Sequence, residues 1–222
     1  MADTRECQQC GAVFTPRREH ARFCSARCRV TWSRENKFDP TVQMSALEWS
    51  ITAMRDVTDR LPRVRGWDQP RAFAVIGEAV WWVTIVDATL VRHHPEEYDR
   101  VLADQTPAQR RLIEGTLGGL RFVRNRMGHE VDHVDFINPS ARRTAGRGVM
   151  AWTWKPVPRP ALGSLSPRGR SWEMTRYRAY EAQLADHTIG ETFGRATTFL
   201  RLTAAKAAAA TSAAEVSVHA VR

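Results

Sequence analysis

Apolar residues settle into a helical rhythm soon after Pro40. Met44, Leu47, Ile51, Met54 and Leu61 recur at helical spacing, and Ser45 and Glu48 are placed as a capping box that predicts a helix start. Pro62 and Gly66 break the pattern within DRLPRVRGWDQP. Pro70 then opens the nearly continuous apolar run AFAVIGEAVWWVTIVDATLV, which predicts a helix to about His93 closed by Pro95. The run is long enough to cross a bilayer. Glu78 and Asp87 lie inside it, however, and a mid-span acid costs about 2.5–3.5 kcal/mol on insertion, so the central helix of a soluble bundle is the better expectation. Thr106-Pro107 marks another helix start, followed by Ile113, Leu117, Leu120, Val123 and Met127 on one face. A last helical region spans about Ser171 to Ala210, with interruptions expected near Gly190 and Gly194 and fraying beyond.

Between Pro139 and Ser171 the rhythm changes to period two. Val149, Ala151 and Thr153 alternate with Met150, Trp152 and Trp154, predicting a strand or hairpin arm. The segment holds seven basic residues and no acid. Arg142, Arg143, Arg147 and Lys155 beside Trp152 and Trp154 make a candidate surface for single-stranded nucleic acid, by phosphate contact and base stacking. The other reading packs both indoles on the bundle. The whole chain carries a formal charge of +9 over 222 residues, which favours an anionic partner: nucleic acid first, an anionic membrane surface second.

All four cysteines fall at the start, as Cys7-x2-Cys10, thirteen residues, then Cys24-x3-Cys28. Two close pairs across a short loop present four thiolates to one Zn²⁺, and four thiolates leave no open position, so one structural zinc is expected. The thirteen-residue gap suits a small hairpin, Gly11 supplies a left-handed turn position, and Ser25 can cap a helix carrying Cys28. Two disulfides are the alternative. The start MADTRECQQC carries no basic-then-apolar signal, which favours a cytoplasmic, reducing setting. The spacing resembles treble-clef fingers worded CxxCG…FCSxxCR.

Residues 124–133, RNRMGHEVDH, match two catalytic patterns at once. His129-Glu130-Val131-Asp132-His133 is H-E-x-x-H, a zinc-peptidase signature, but Gly128, Asp132 and Asp135 surround it unfavourably and nothing selects a third ligand. Arg124-Asn125 with His129 resembles the R-N-x-x-x-H motif of the HEPN superfamily. These are helical bundles that include metal-independent ribonucleases of toxin–antitoxin and phage-defence systems, and also non-catalytic RNA-binding modules. The resemblance implies Arg124, Asn125 and His129 as catalytic residues, an RNA substrate, a homodimer pairing two motifs in one cleft, and an antitoxin as a further partner. A neutral His129 would take the ribose 2′-hydroxyl proton while Arg124 stabilises charge on the phosphate. In one unbroken helix Arg124 and His129 point about 140° apart, so convergence requires a break at Gly128. Glu78 or Asp87 is a candidate to orient Arg124.

The expected fold is therefore mainly α: a zinc finger over residues 1–38, an HEPN-like helical domain over 39–210 with the basic arm at 139–171, and a flexible tail over 211–222. The expected function is RNA binding with metal-independent endoribonuclease activity. A non-catalytic zinc-finger nucleic-acid-binding or regulatory protein is the alternative, and an HExxH peptidase a third reading.

Overall fold

In the computed structural model the chain is described at residues 4–16, 21–35, 40–64, 68–129, 135–144, 147–163 and 165–220; side chains at 34–35, 40–43, 129, 140–144, 147–150 and 213–220 lie outside the description. The chain forms two compact units, Met1–Ala46 and Leu47–Arg222.

The first unit holds strands β1 (Arg5–Glu6) and β2 (Val13–Phe14), paired antiparallel, and helix α1 (Ala26–Glu35). The hairpin therefore straddles the first cysteine pair rather than filling the thirteen-residue gap. Ser25 caps α1 as expected: its hydroxyl accepts from the Cys28 N–H at 3.1 Å. The unit boundary falls within helix α2 (Pro40–Arg60). Ser45 and Glu48 thus lie inside α2 and do not start it, because Pro40 already fits a first helical turn.

The second unit is mainly helical. After a 3-10 turn at Leu61–Arg63 come α3 (Gln69–His93), α4 (Pro95–Ala103), α5 (Pro107–His129), β3 (Ile137–Thr144), β4 (Arg147–Trp154), α6 (Pro167–Gln183) and α7 (Ile189–Ala220). Asp68 caps α3 through the Arg71 N–H at 3.1 Å, and Thr106 with Gln109 caps α5 reciprocally. Helix α3 ends at His93, as expected, and Pro95 both follows that stop and opens α4. The α6–α7 break falls at Leu184–Thr188, not at Gly190 or Gly194, and Asp186 takes a left-handed φ of 64° there. Helix α7 remains helical to Ala220, through the segment expected to be a tail; its alanine content favours this.

Helix α3 is the one described helix long and apolar enough to cross a membrane, yet half of its apolar window is buried against protein. It packs against α4, α5 and α7, and its single wholly buried acid, Asp87, is paired. Its burial within the bundle matches the sequence expectation.

The hairpin is anchored at its base. Ile137 pairs with Trp154 and Pro139 with Trp152, while the Arg142, Arg143 and Arg147 positions lie at the far end. Trp154 is 0 % exposed and sits among Tyr180 and Phe193, with ring centroids at 6.4 and 6.2 Å. Its N–H donates to His187 O at 3.0 Å, its carbonyl accepts from Asp186 N at 2.9 Å, and its indole donates to Thr192 Oγ1 at 3.0 Å. Phe122, Phe136 and Tyr177 complete the aromatic core, and the Tyr180 hydroxyl donates to the Lys155 carbonyl. Thr192→Val keeps the shape but leaves the Trp154 indole N–H buried without its acceptor. The expected loss is about 1–3 kcal/mol, measured as a lower urea midpoint.

Candidate metal centre and nucleic-acid interface

The four cysteine sulfurs lie within 4.8 Å of one another. Cys10 to Cys24 is 3.7 Å and Cys24 to Cys28 is 3.6 Å. A tetrahedron of sulfurs about 2.3 Å from a central ion has edges of about 3.8 Å, so the donor set fits one metal ion and is compatible with a structural zinc. Local backbone builds the cluster. Gly11, at φ 71°, turns the chain so that its N–H reaches the Cys7 carbonyl at 2.9 Å, and the Cys24 N–H points at the Cys7 sulfur at 3.4 Å. Burial opposes ionisation of Cys7, but N–H groups of Cys24, Cys10 and Gln9 outweigh it and bring the thiol down to about 6. Hydrogen bonds with Cys28, Cys7 and Cys10 push Cys24 up to about 12. Without a cation, then, the cluster does not hold four thiolates at neutral pH, and loading must release protons. Beside it Arg22 stacks on Trp32 at 4.9 Å and donates to Gln8 at 2.6 Å.

The predicted arm surface needs correction. Trp152 is 7 % exposed and Trp154 0 %, so both indoles belong to the bundle and neither offers a stacking face. The Lys155 ammonium is held by Asp135. The side chains of Arg142, Arg143 and Arg147 lie outside the described residues.

Exposed indoles lie elsewhere: Trp49 on α2 is 73 % exposed, Trp81 on α3 50 % and Trp172 on α6 55 %. The Arg124 guanidinium lies over Trp81 at 4.7 Å, and Arg168 and Arg176 lie over Trp172 at 5.1 and 5.7 Å. Burial, then the charges of Arg121 and Arg124, lower the proton affinity of Arg176, with Glu173 opposing. Arg121, Arg124 and Arg176 therefore face a common region. Arg121 is committed to Asp87, its Nη2 at 2.5 Å, whereas the buried Nε of Arg124 has no hydrogen-bond partner among the described residues. Two guanidinium–indole groups result, Arg124 with Trp81 and Arg168 and Arg176 with Trp172, on the mutually packed helices α3 and α5 and on α6, which packs against α5. Sequence reasoning missed them, although a signal existed: the buried α3 positions include Val80, Val83 and Thr84, and Trp81 is off that face.

Helix α5 runs unbroken through Gly128 to His129. The expected break is absent, since Gly128 keeps a negative φ and a lone helical glycine costs only about 1 kcal/mol. Arg124 and His129 consequently start about 140° apart around one helix, while Asn125 and His129, at i and i+4, share a face. The His129 side chain and residues 130–133, with the rest of the HExxH pattern, lie outside the described residues. Neither proposed orienter reaches Arg124: Glu78 pairs with Arg60 at 2.5 Å and Asp87 with Arg121.

No described protein family, curated protein or solved structure matches this chain.

Proposed function

We propose that this protein binds single-stranded RNA across the Trp81–Arg124–Arg176–Trp172 face of its helical unit, and that its N-terminal finger is held by one structural zinc ion. The two guanidinium–indole groups, at Trp81 and at Trp172, carry the reading. Base stacking on an exposed ring is worth about 1–3 kcal/mol per base, and each arginine–phosphate contact adds about 0.7 to the salt slope on a single strand. The chain's charge of +9 supports the same partner.

The Arg124-Asn125…His129 motif, similar to that of HEPN ribonucleases, supports RNA over DNA and a second reading, in which the bound strand is cut without a metal. Asn125 and His129 stand at i and i+4 at the end of α5, the helix that also carries Arg124. Because α5 is unbroken, Arg124 would meet the His129 of a second copy rather than its own. That reading includes a homodimer, and restraint by an antitoxin belongs to it.

The test is titration of a labelled single-stranded RNA, followed by a cleavage assay in excess chelator. Trp172→Ala and Arg124→Ala each lower affinity about tenfold, and Arg124→Ala also flattens the salt dependence. Wild-type affinity in both variants would overturn the binding face. Chelator-resistant cleavage abolished by His129→Ala supports the enzyme. Binding without cleavage leaves an RNA-binding module.

A further inference from the structure

A groove of about 370 Å³ lies in the helical unit, between the turn after α4, the first turns of α5 and the N-terminal half of α7. It shares no residue with the guanidinium–indole groups or with the cysteine cluster. Ile113 and Phe199, both buried, line it, and Leu112 and Leu202 carry the apolar wall out to partly exposed positions. Arg195 is the one charged residue in the lining, which holds no acid.

The fold fixes that arginine without neutralising it. Its Nη1 donates to Thr116 Oγ1 at 2.9 Å. Thr116 is wholly buried and gives its own proton to the Leu112 carbonyl at 2.6 Å, so its oxygen is left to accept from Arg195. A neutral hydroxyl on α5 thereby holds a guanidinium that comes from α7. Among the described residues no carboxylate pairs with Arg195. Its other nitrogens make no hydrogen bond there, and none of them is sealed from solvent. A half-buried cation beside apolar walls attracts an anion more strongly than one in open water does, because the local dielectric is lower.

We propose that this groove binds a small amphiphilic carboxylate, its chain against Leu112, Phe199 and Leu202 and its head on the free N–H groups of Arg195. A guanidinium offers paired donors that match a carboxylate. One cation with no second in the lining suits a single negative charge. The volume stands near the lower end for small-molecule sites and suits a chain of about ten heavy atoms.

The probe is octanoate, titrated by isothermal calorimetry into the full-length, metal-loaded chain. Wild type should bind one equivalent saturably, and octan-1-ol, with the same chain and no charge, at least tenfold more weakly. Arg195→Gln removes the charge and should weaken octanoate at least tenfold while leaving octan-1-ol unchanged. Leu202→Glu, at an exposed helix position that tolerates the change in propensity, should fold as wild type does and also weaken octanoate at least tenfold. Arg201→Gln removes an equal charge from α7 outside the groove and should bind as wild type does. Absence of saturable octanoate binding by wild type, equal binding of octan-1-ol, or wild-type binding by folded Arg195→Gln or Leu202→Glu would overturn the proposal. An equal loss in Arg201→Gln would also overturn it, by tracing the effect to overall charge.

Discussion

Arg121→Met will destabilise the helical unit by about 3–5 kcal/mol, because it strands a buried carboxylate. Asp87 is 0 % exposed, and its Oδ2 takes both Nε and Nη2 of Arg121, at 2.6 and 2.5 Å, while Oδ1 accepts from the Tyr98 hydroxyl at 3.0 Å. The pair is asymmetric: the Arg121 side chain is 37 % exposed and can turn to water, whereas Asp87 cannot. Asp87→Asn should therefore cost far less, about 1 kcal/mol, since an amide still bonds Tyr98 and needs no counter-charge. The pH dependence follows. Burial holds the Asp87 carboxyl above its ordinary 3.8, opposed chiefly by the Arg121 charge. Without Arg121 it rises further. A folded-state value above the unfolded one means the folded chain carries the extra proton between the two. The penalty is then absent below the unfolded value and develops as pH rises through the folded one. Urea midpoints should show Arg121→Met recovering towards wild type as pH falls from 7. An equal deficit at all pH values would show that packing, not charge, sets the loss.

That ion pair also shows how far the sequence could be read. Asp87 was visible as an acid in an apolar run, and its presence argued against a membrane span. Its partner was not visible, because Arg121 is one of many arginines and only the packing of α5 on α3 selects it. The clustering of the four cysteines was legible, since spacing, Gly11 and the Ser25 cap act within a few residues, whereas the place of the hairpin, around the first pair, was not. The hairpin was legible as alternation, but the side it turns to the bundle was not. Period two puts Trp152 and Trp154 together without stating whether they face water or Tyr180. Local signals misled where a competing one lay nearby. Pro40 preceded the Ser45 box, and Gly128 was tolerated within α5. The α6–α7 break is set by tertiary contacts with the end of β4, at Thr188 and Ala185, which no local rule contains.

Removing the metal ion will unfold the N-terminal unit and leave the helical unit intact. Cys7, 3 % exposed, is the one wholly buried side chain among the described residues of the first unit. Its strands are two residues each, and α1 has ten, fewer than the roughly 12–15 residues at which isolated helices become even marginal in water. Hydrophobic burial on this scale does not offset chain entropy, so small modules of this kind depend on a metal or cross-link. A four-thiolate site supplies about 10–16 kcal/mol at neutral pH, more than enough to decide the balance. Acid acts in the same direction as a chelator. Each thiolate must lose its proton to bind, and Cys24 holds its own up to about 12 without the ion, so metal affinity falls as pH falls. Amide exchange by mass spectrometry checks the claim. With chelator, or in Cys24→Ser, protection across residues 4–35 should vanish while α3, α5 and α7 keep theirs. Protection of the finger that survives complete metal removal would mean that packing such as the Arg22–Trp32 stack holds it instead.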